Sequence, residues 1–84
     1  MNMKILKEKT WQFEKSGVDG NVQLFGVNIF DYHWESTGKR AAVTDPLYGQ
    51  EFIFDIYTVV IGRDKKEFAA GEFSNCVWGF YLYH

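Results

Sequence analysis

Three side chains that can bind metals or move protons alternate along one stretch of the sequence: Asp31, His33 and Glu35. On a strand such residues share a face, with neighbours about 6.8 Å apart. One imidazole and two carboxylates can bind a divalent cation, and a histidine beside an aspartate can act as a general acid or base. A solvated strand face explains the same alternation, because aromatic residues occupy the positions between them. A metal-binding protein or small enzyme centred on His33 is therefore our alternative prediction; we predict no catalytic residue, metal site or cofactor.

The single cysteine, Cys76, is a weaker catalytic signal. It alternates with Trp78 and Phe80, so we expect a small buried apolar residue rather than a nucleophile. One cysteine cannot form an internal disulfide, which favours a reducing compartment. The first residues resemble neither a signal peptide nor a membrane span. We therefore expect a complete, cytoplasmic chain with no membrane partner.

Composition limits the class of ligand. The 84 residues suffice for one domain, residues 1–84, and the net charge is −2. Without an excess of cationic residues, the chain has little to neutralise phosphates, which disfavours nucleic acid. Aromatic residues near lysines can still stack on bases, so binding of single-stranded nucleic acid is a further alternative.

The elements that would position these side chains are strands. Aromatic residues make up 19% of the chain, and β-branched residues greatly outnumber alanine and leucine. Regularly spaced turn signals separate six predicted strands: 3–15, 21–35, 39–45, 50–62, 66–71 and 75–83. Gly26, inside the second strand, predicts a bulge or bend. The predicted fold is all-β, with about six antiparallel strands in meander order forming a small barrel or a two-sheet sandwich.

Alternation leaves two strands apolar on both sides. The predicted core consists of one face of each of four strands: Ile5, Trp11 and Phe13 of the first, Phe30, Tyr32 and Trp34 of the second, Phe52, Phe54, Ile56 and Val60 of the fourth, and Cys76, Trp78, Phe80 and Leu82 of the sixth. The opposite sides carry Ile53, Tyr57, Val59 and Ile61 of the fourth strand and Val77, Tyr81 and Tyr83 of the sixth. Three explanations stay open: the sheet folds back on itself, another segment covers it, or a partner binds there.

The surplus of apolar surface suggests a function, because large exposed apolar patches usually mark interaction sites. We expect a non-enzymatic binding or interaction module that forms a homodimer or binds a protein partner through an aromatic sheet face. A loop that leads into the last strand adds an acid and an amide. The predicted binding residues are Tyr57, Tyr81, Tyr83, Ile53, Glu72 and Asn75.

Overall fold

The computed structural model describes residues 11–18 and 21–83, where strands joined by turns and loops make up most of the chain and the one helical element is a short 3₁₀ turn at Ile29–Asp31. The strands are β1 (Trp11–Val18), β2 (Gln23–Leu24), β3 (Val27–Asn28), β4 (Trp34–Thr44), β5 (Glu51–Ile61), β6 (Asp64–Ser74) and β7 (Val77–Tyr83). The predicted all-β class is confirmed.

Five of these strands form one antiparallel sheet in the order β1-β7-β6-β5-β4. The last four strands follow one another as a meander, and β1 pairs with β7. The short strands β2 and β3 pair only with each other in a separate two-stranded sheet. The first and last strands of the large sheet are therefore neighbours, and β1 and β4 are its outer strands.

The predicted strand 21–35 is wrong. Phe25 and Gly26 both have positive φ, 53° and 82°, so they form a tight turn between β2 and β3 instead of a bulge. The Asn28 side chain then accepts a hydrogen bond from the backbone N–H of Phe30, 2.9 Å long, at the start of the 3₁₀ turn. The chain returns to the large sheet only at Trp34.

Two predicted turns lie inside strands. Residues 36–39 form a bulge within β4, where Gly38 has φ of +78°. Likewise, β6 continues past Gly71 to Ser74, and the turn falls at 75–76. Cys76 has φ of +65° in that turn and is exposed, so the prediction of a buried cysteine is wrong. Residues 3–10 of the first predicted strand lie outside the described residues.

One face of the large sheet, here called the hairpin face, is covered by a separate segment. Residues 21–32, the cover segment, bury Val22, Leu24 and Ile29 against it. Cross-strand pairing shows which side of each strand belongs to this face. Tyr57 pairs with Phe68, and Phe68 pairs with Leu82, so these three side chains lie on the same face. The sheet residues of this core are Val59, Phe68, Ala70 and Phe80, with Trp34, Tyr57, Ile61, Trp78 and Leu82 packed against them.

The opposite face, here called the glycine face, buries its residues by curling. Its core consists of Ala41, Val43, Phe54, Ile56, Ala69 and Tyr81, with Trp11, Phe13, Phe52 and Phe73 packed against it. The Tyr81 hydroxyl donates a 2.6 Å hydrogen bond to the Thr44 carbonyl, joining β7 to β4 across two intervening strands. Three strand spacings amount to about 14 Å in a flat sheet, so this contact requires strong curvature.

Two glycines let aromatic rings lie directly on this face. Gly71 and Gly79 are cross-strand partners in β6 and β7. A Cβ atom on Gly71 would lie 2.5 Å from Cδ1 of Phe54, and one on Gly79 would clash with the Phe73 ring. Phe73 is the extra residue of a bulge between β6 and β7. The rings thus fill the space that side chains at both glycines would occupy.

The side chains of each strand alternate between the two faces of the sheet as predicted. The prediction of which side of one strand shares a face with which side of another is wrong. Phe54 and Ile56 share the glycine face with Tyr81, whereas Trp78 and Phe80 share the hairpin face with Tyr57. Val60, predicted in the core, is 56% exposed. Alternation fixes the two sides of each strand, but only the cross-strand register decides which sides belong together.

Candidate binding groove

An apolar groove of about 200 Å³ opens on the hairpin face beside the 3₁₀ turn of the cover segment. It is lined by Ile29, Phe30, Trp34, Tyr57, Ala70, Trp78 and Phe80. Five of these seven residues lie on four adjacent strands of the large sheet: Trp34 on β4, Tyr57 on β5, Ala70 on β6, and Trp78 and Phe80 on β7. The other two, Ile29 and Phe30, belong to the cover segment, so the sheet itself forms most of the groove.

The small side chain of Ala70 explains the depression. Ala70 lies in the middle of β6, opposite Asp55 on one side and Phe80 on the other. Along β6 its neighbours on the same face are two much larger residues, Phe68 and Glu72. A methyl group among larger neighbours leaves space above the sheet. Ala70 is therefore the floor of the groove.

Aromatic rings form the walls and are held in place. The rings of Trp34 and Tyr57 have centroids 6.1 Å apart and stand 82° to each other. The Trp34 indole N–H donates a 2.7 Å hydrogen bond to the Ile29 carbonyl, which fixes this ring against the cover segment. On the other side, Trp78 and Phe80 are stacked, 24° apart in plane. The walls are thus preorganised on rigid strands.

Two polar atoms in the groove walls have no partner among the described residues. Within the described ranges, neither the Tyr57 hydroxyl nor the Trp78 indole N–H makes a hydrogen bond to another residue. Both side chains are half-buried, and Phe30 at the entrance is 66% exposed. A ligand in the groove can therefore bury apolar surface and also satisfy these two groups.

Carboxylates lie close to the groove floor. Glu72 follows Ala70 on the same face of β6 and is the cross-strand partner of Trp78. Its carboxylate accepts a 3.2 Å hydrogen bond from the backbone N–H of Cys76. Asp55, opposite Ala70, pairs with Arg40 at 3.2 Å on the exposed surface. Of the two acids, only Asp55 has a cationic partner among the described residues.

The predicted binding residues do not form one surface. Tyr57 lies in the groove, Glu72 beside it, and Ile53, 59% exposed, farther along the same face of β5. Tyr81 is only 2% exposed on the glycine face, so it cannot present its ring to a partner. The prediction fails for this residue because its hydroxyl and ring serve the core.

The other two predicted residues lie away from the groove. Tyr83 is 48% exposed and packs edge-on against Trp11, with ring centroids 5.0 Å apart, on the glycine face. Asn75 occupies the exposed turn between β6 and β7. Sequence reasoning therefore found one groove residue and one neighbour, and missed the floor and the two tryptophan walls.

The surroundings of Tyr81 strongly disfavour ionisation of its hydroxyl. Burial disfavours the phenolate, and the nearby Asp45 carboxylate adds repulsion. Together these effects raise the pKa of Tyr81 from 10.0 to about 12. The hydroxyl therefore remains a donor to Thr44 at physiological pH.

The sequence triad that could have formed a metal or acid–base centre is only partly assembled. His33 Nε2 and Glu35 Oε2 lie 3.5 Å apart, and both side chains are exposed. Asp31 belongs to the 3₁₀ turn, His33 precedes β4, and only Glu35 lies on a strand. No group of three or more His, Cys, Asp or Glu residues that could hold a metal ion occurs in the ranges 11–18 and 21–83.

A second, wider cavity of about 520 Å³ lies between the loop after β4 and the β6–β7 turn. Its loop side carries Leu47 and Tyr48, which are 81% and 85% exposed. Asp45 accepts a hydrogen bond from the Leu47 backbone N–H at 3.0 Å and so shapes this loop. Exposed loop residues form one side of this cavity, in contrast to the strand-based walls of the groove.

Comparison with known proteins yields no relative. No family model matches the chain, and no curated protein or solved structure is significantly similar to it. None of the helices in the described part of the chain has the length and apolar character needed to cross a membrane.

Proposed function

We propose that the protein is a non-enzymatic binding module and that the groove on the hairpin face receives a side chain of a protein partner. The observation that carries this proposal is the half-buried aromatic pair Tyr57 and Trp78, whose polar groups are unpaired within the described chain. An aromatic ring with a free polar tip is a common anchor at protein interfaces.

The partner we propose is a different chain and not a second copy. The aromatic residues on which the sequence prediction of a homodimer depended are divided between two opposite faces, and Tyr81 is buried. A concave pocket of about 200 Å³ suits one inserted side chain better than a flat self-complementary surface. We propose the cytoplasm as the location, on the strength of the lone cysteine.

The test is selection of peptides from a displayed random library on the wild-type protein, followed by affinity measurement on two variants. Ala70→Leu fills the floor, and we expect it to weaken the selected peptides by about ten-fold or more. Ala42→Leu is the matched control, because Ala42 is an exposed residue of the same face outside the groove.

Both variants must first show the wild-type melting temperature within a few degrees, which separates loss of binding from loss of folding. If no peptide is selected, or if the selected peptides bind Ala70→Leu as tightly as the control, the proposal is wrong. Sedimentation of the free protein at high concentration checks the partner assignment, since we expect a monomer.

A further inference from the structure

We infer that the side chain the groove receives is a cation: an arginine guanidinium or an alkylated ammonium presented by the partner. This inference rests on the proposed function, because it names the ligand class of the same groove. It follows from three independent properties of the described residues: the arrangement of the rings, the surrounding charge and the type of the unpaired polar atoms.

The ring arrangement suits a cation. The rings of Trp34 and Tyr57 stand at nearly a right angle, and Trp78 lines the same groove. A cation within about 6 Å of several such rings is attracted to the negative charge of each π face, and tryptophan gives the strongest attraction. The methyl group of Ala70 leaves space between these aromatic side chains.

The charge around the groove is complementary to a cation. On the open part of the hairpin face, beyond the cover segment, register places three carboxylates and one guanidinium: Glu51, Asp55, Glu72 and Arg40. Arg40 pairs with Asp55, which leaves Glu72 beside the groove without a cationic partner among the described residues.

Among the described residues, two lysines also share this face by register. Lys66 is opposite Val59 at the far end of the sheet. Lys15 is opposite the groove residue Phe80 and lines a polar cavity with Asn21 and Gln23 of the cover segment. On the side of Trp78, the groove presents the Glu72 carboxylate, which has no cationic partner among the described residues.

The unpaired polar atoms fit a cation carried by a peptide. The Tyr57 hydroxyl can accept a hydrogen bond from a guanidinium N–H, whereas the Trp78 indole can only donate. The Trp78 indole N–H cannot accept a hydrogen bond from a cation. It can, however, donate one to a backbone carbonyl next to the inserted side chain. One acceptor and one donor on opposite walls thus match a cationic residue within a polypeptide.

The experiment uses the full chain and two pairs of small probes. The first pair is N-acetyl-arginine methylamide and its neutral isostere N-acetyl-citrulline methylamide. The second is choline and its neutral isostere 3,3-dimethyl-1-butanol. The readout is the NMR shift of the Trp78 indole N–H, which the variant Trp78→Phe assigns among the three tryptophans. The first pair tests a guanidinium, and the second tests an alkylated ammonium.

We expect at least one cation to bind about five-fold more tightly than its neutral isostere. Glu72→Gln should lower that ratio, since glutamine keeps an acceptor for the Cys76 N–H but loses the charge, while the attraction of the rings for a cation remains. Glu67→Gln is the matched control on the same strand, because Glu67 is exposed and pairs with Thr58 on the other face. It should leave the ratio unchanged.

Three results would overturn the inference. If each neutral isostere shifts the Trp78 signal as strongly as its cation, the groove binds ligands without selecting charge, and the proposed function survives. If no probe shifts the signal up to its solubility limit, cation recognition is wrong, while the peptide selection still decides the proposed function separately. Equal loss of selectivity in Glu72→Gln and Glu67→Gln would show a general charge effect and not a site.

Discussion

The two faces of the five-stranded sheet are both apolar, yet they are buried in different ways. The hairpin face is closed by residues 21–32, which belong to a separate segment of chain. The glycine face is closed by curvature and by rings that lie on Gly71 and Gly79. One face depends on a cover and the other on the shape of the sheet itself.

This difference explains where the groove lies. A cover segment made of two short strands and a 3₁₀ turn is smaller than the sheet it protects, and it ends beside Trp34 and Tyr57. The curled face also has a cavity at its edge, where Phe13 and Phe73 meet the exposed loop residues Leu47 and Tyr48. The two cavities differ in their walls: strand residues and the cover form the groove, whereas an exposed loop forms one side of the cavity on the glycine face.

The strongest test of the comparison removes the main anchor of the cover. Leu24 is 1% exposed, so Leu24→Ala should lower the free energy of unfolding by about 3 kcal/mol, through lost burial and the cavity left behind. Chemical denaturation measures this change. The same substitution at Leu47, which is 81% exposed, is the control and should change stability by no more than about 0.5 kcal/mol.

Hydrogen exchange on Leu24→Ala sharpens the result. The backbone N–H of Ile29 donates to the Val22 carbonyl at 3.0 Å within the cover. Its exchange should accelerate more than that of amides in β6 and β7, since the cover can open without the sheet. Uniform acceleration across both faces would show that they form one cooperative unit, against the comparison.

The next largest effect concerns the glycine face. Gly79→Ala places a methyl group where the Phe73 ring lies, and overpacking of this kind should cost about 2 kcal/mol in unfolding free energy. In a Phe73→Ala background the ring is gone, so the same glycine substitution should cost about 0.5 kcal/mol or less. A double-mutant cycle by denaturation measures this coupling. Equal costs in both backgrounds would mean that the ring does not need the glycine.

The sequence predicted the strands whose alternation is uninterrupted. The predicted limits 50–62 differ from β5, Glu51–Ile61, by one residue at each end. The stretch 21–35 misled the prediction, because aromatic residues at alternate positions imitate a strand where the chain makes a tight turn and a 3₁₀ turn. Local patterns do not distinguish these conformations when the deciding contacts come from a distant strand.

The groove was less predictable than the fold for a similar reason. Tyr57 and Glu72 were recognisable as an aromatic residue and an acid on apolar strands, but Ala70 gave no signal. Its role as the floor depends on register, which places it between Asp55 and Phe80. A sequence shows which residues are large, whereas a depression is made by the small residue that stands between them.

The smallest expected effect tests the hydrogen bond that accompanies curvature of the glycine face. The Tyr81 hydroxyl, whose pKa is raised to about 12, donates to the Thr44 carbonyl. At neutral pH, Tyr81→Phe should therefore lower the unfolding free energy by about 1 kcal/mol, through the lost hydrogen bond. Urea denaturation of both proteins at a series of pH values measures the difference.

That difference should shrink as the pH rises. Between pH 10.0 and about 12, unfolded Tyr81 is deprotonated while folded Tyr81 keeps its proton, so unfolding releases a proton and alkali favours it. The wild type should therefore lose about 1 kcal/mol more than Tyr81→Phe by about pH 11, which closes the gap between them. Alkaline effects common to both proteins cancel in this comparison. A gap that stays constant to that pH would show that the hydroxyl is not held in the core, and the curled face would then need another explanation for its closure.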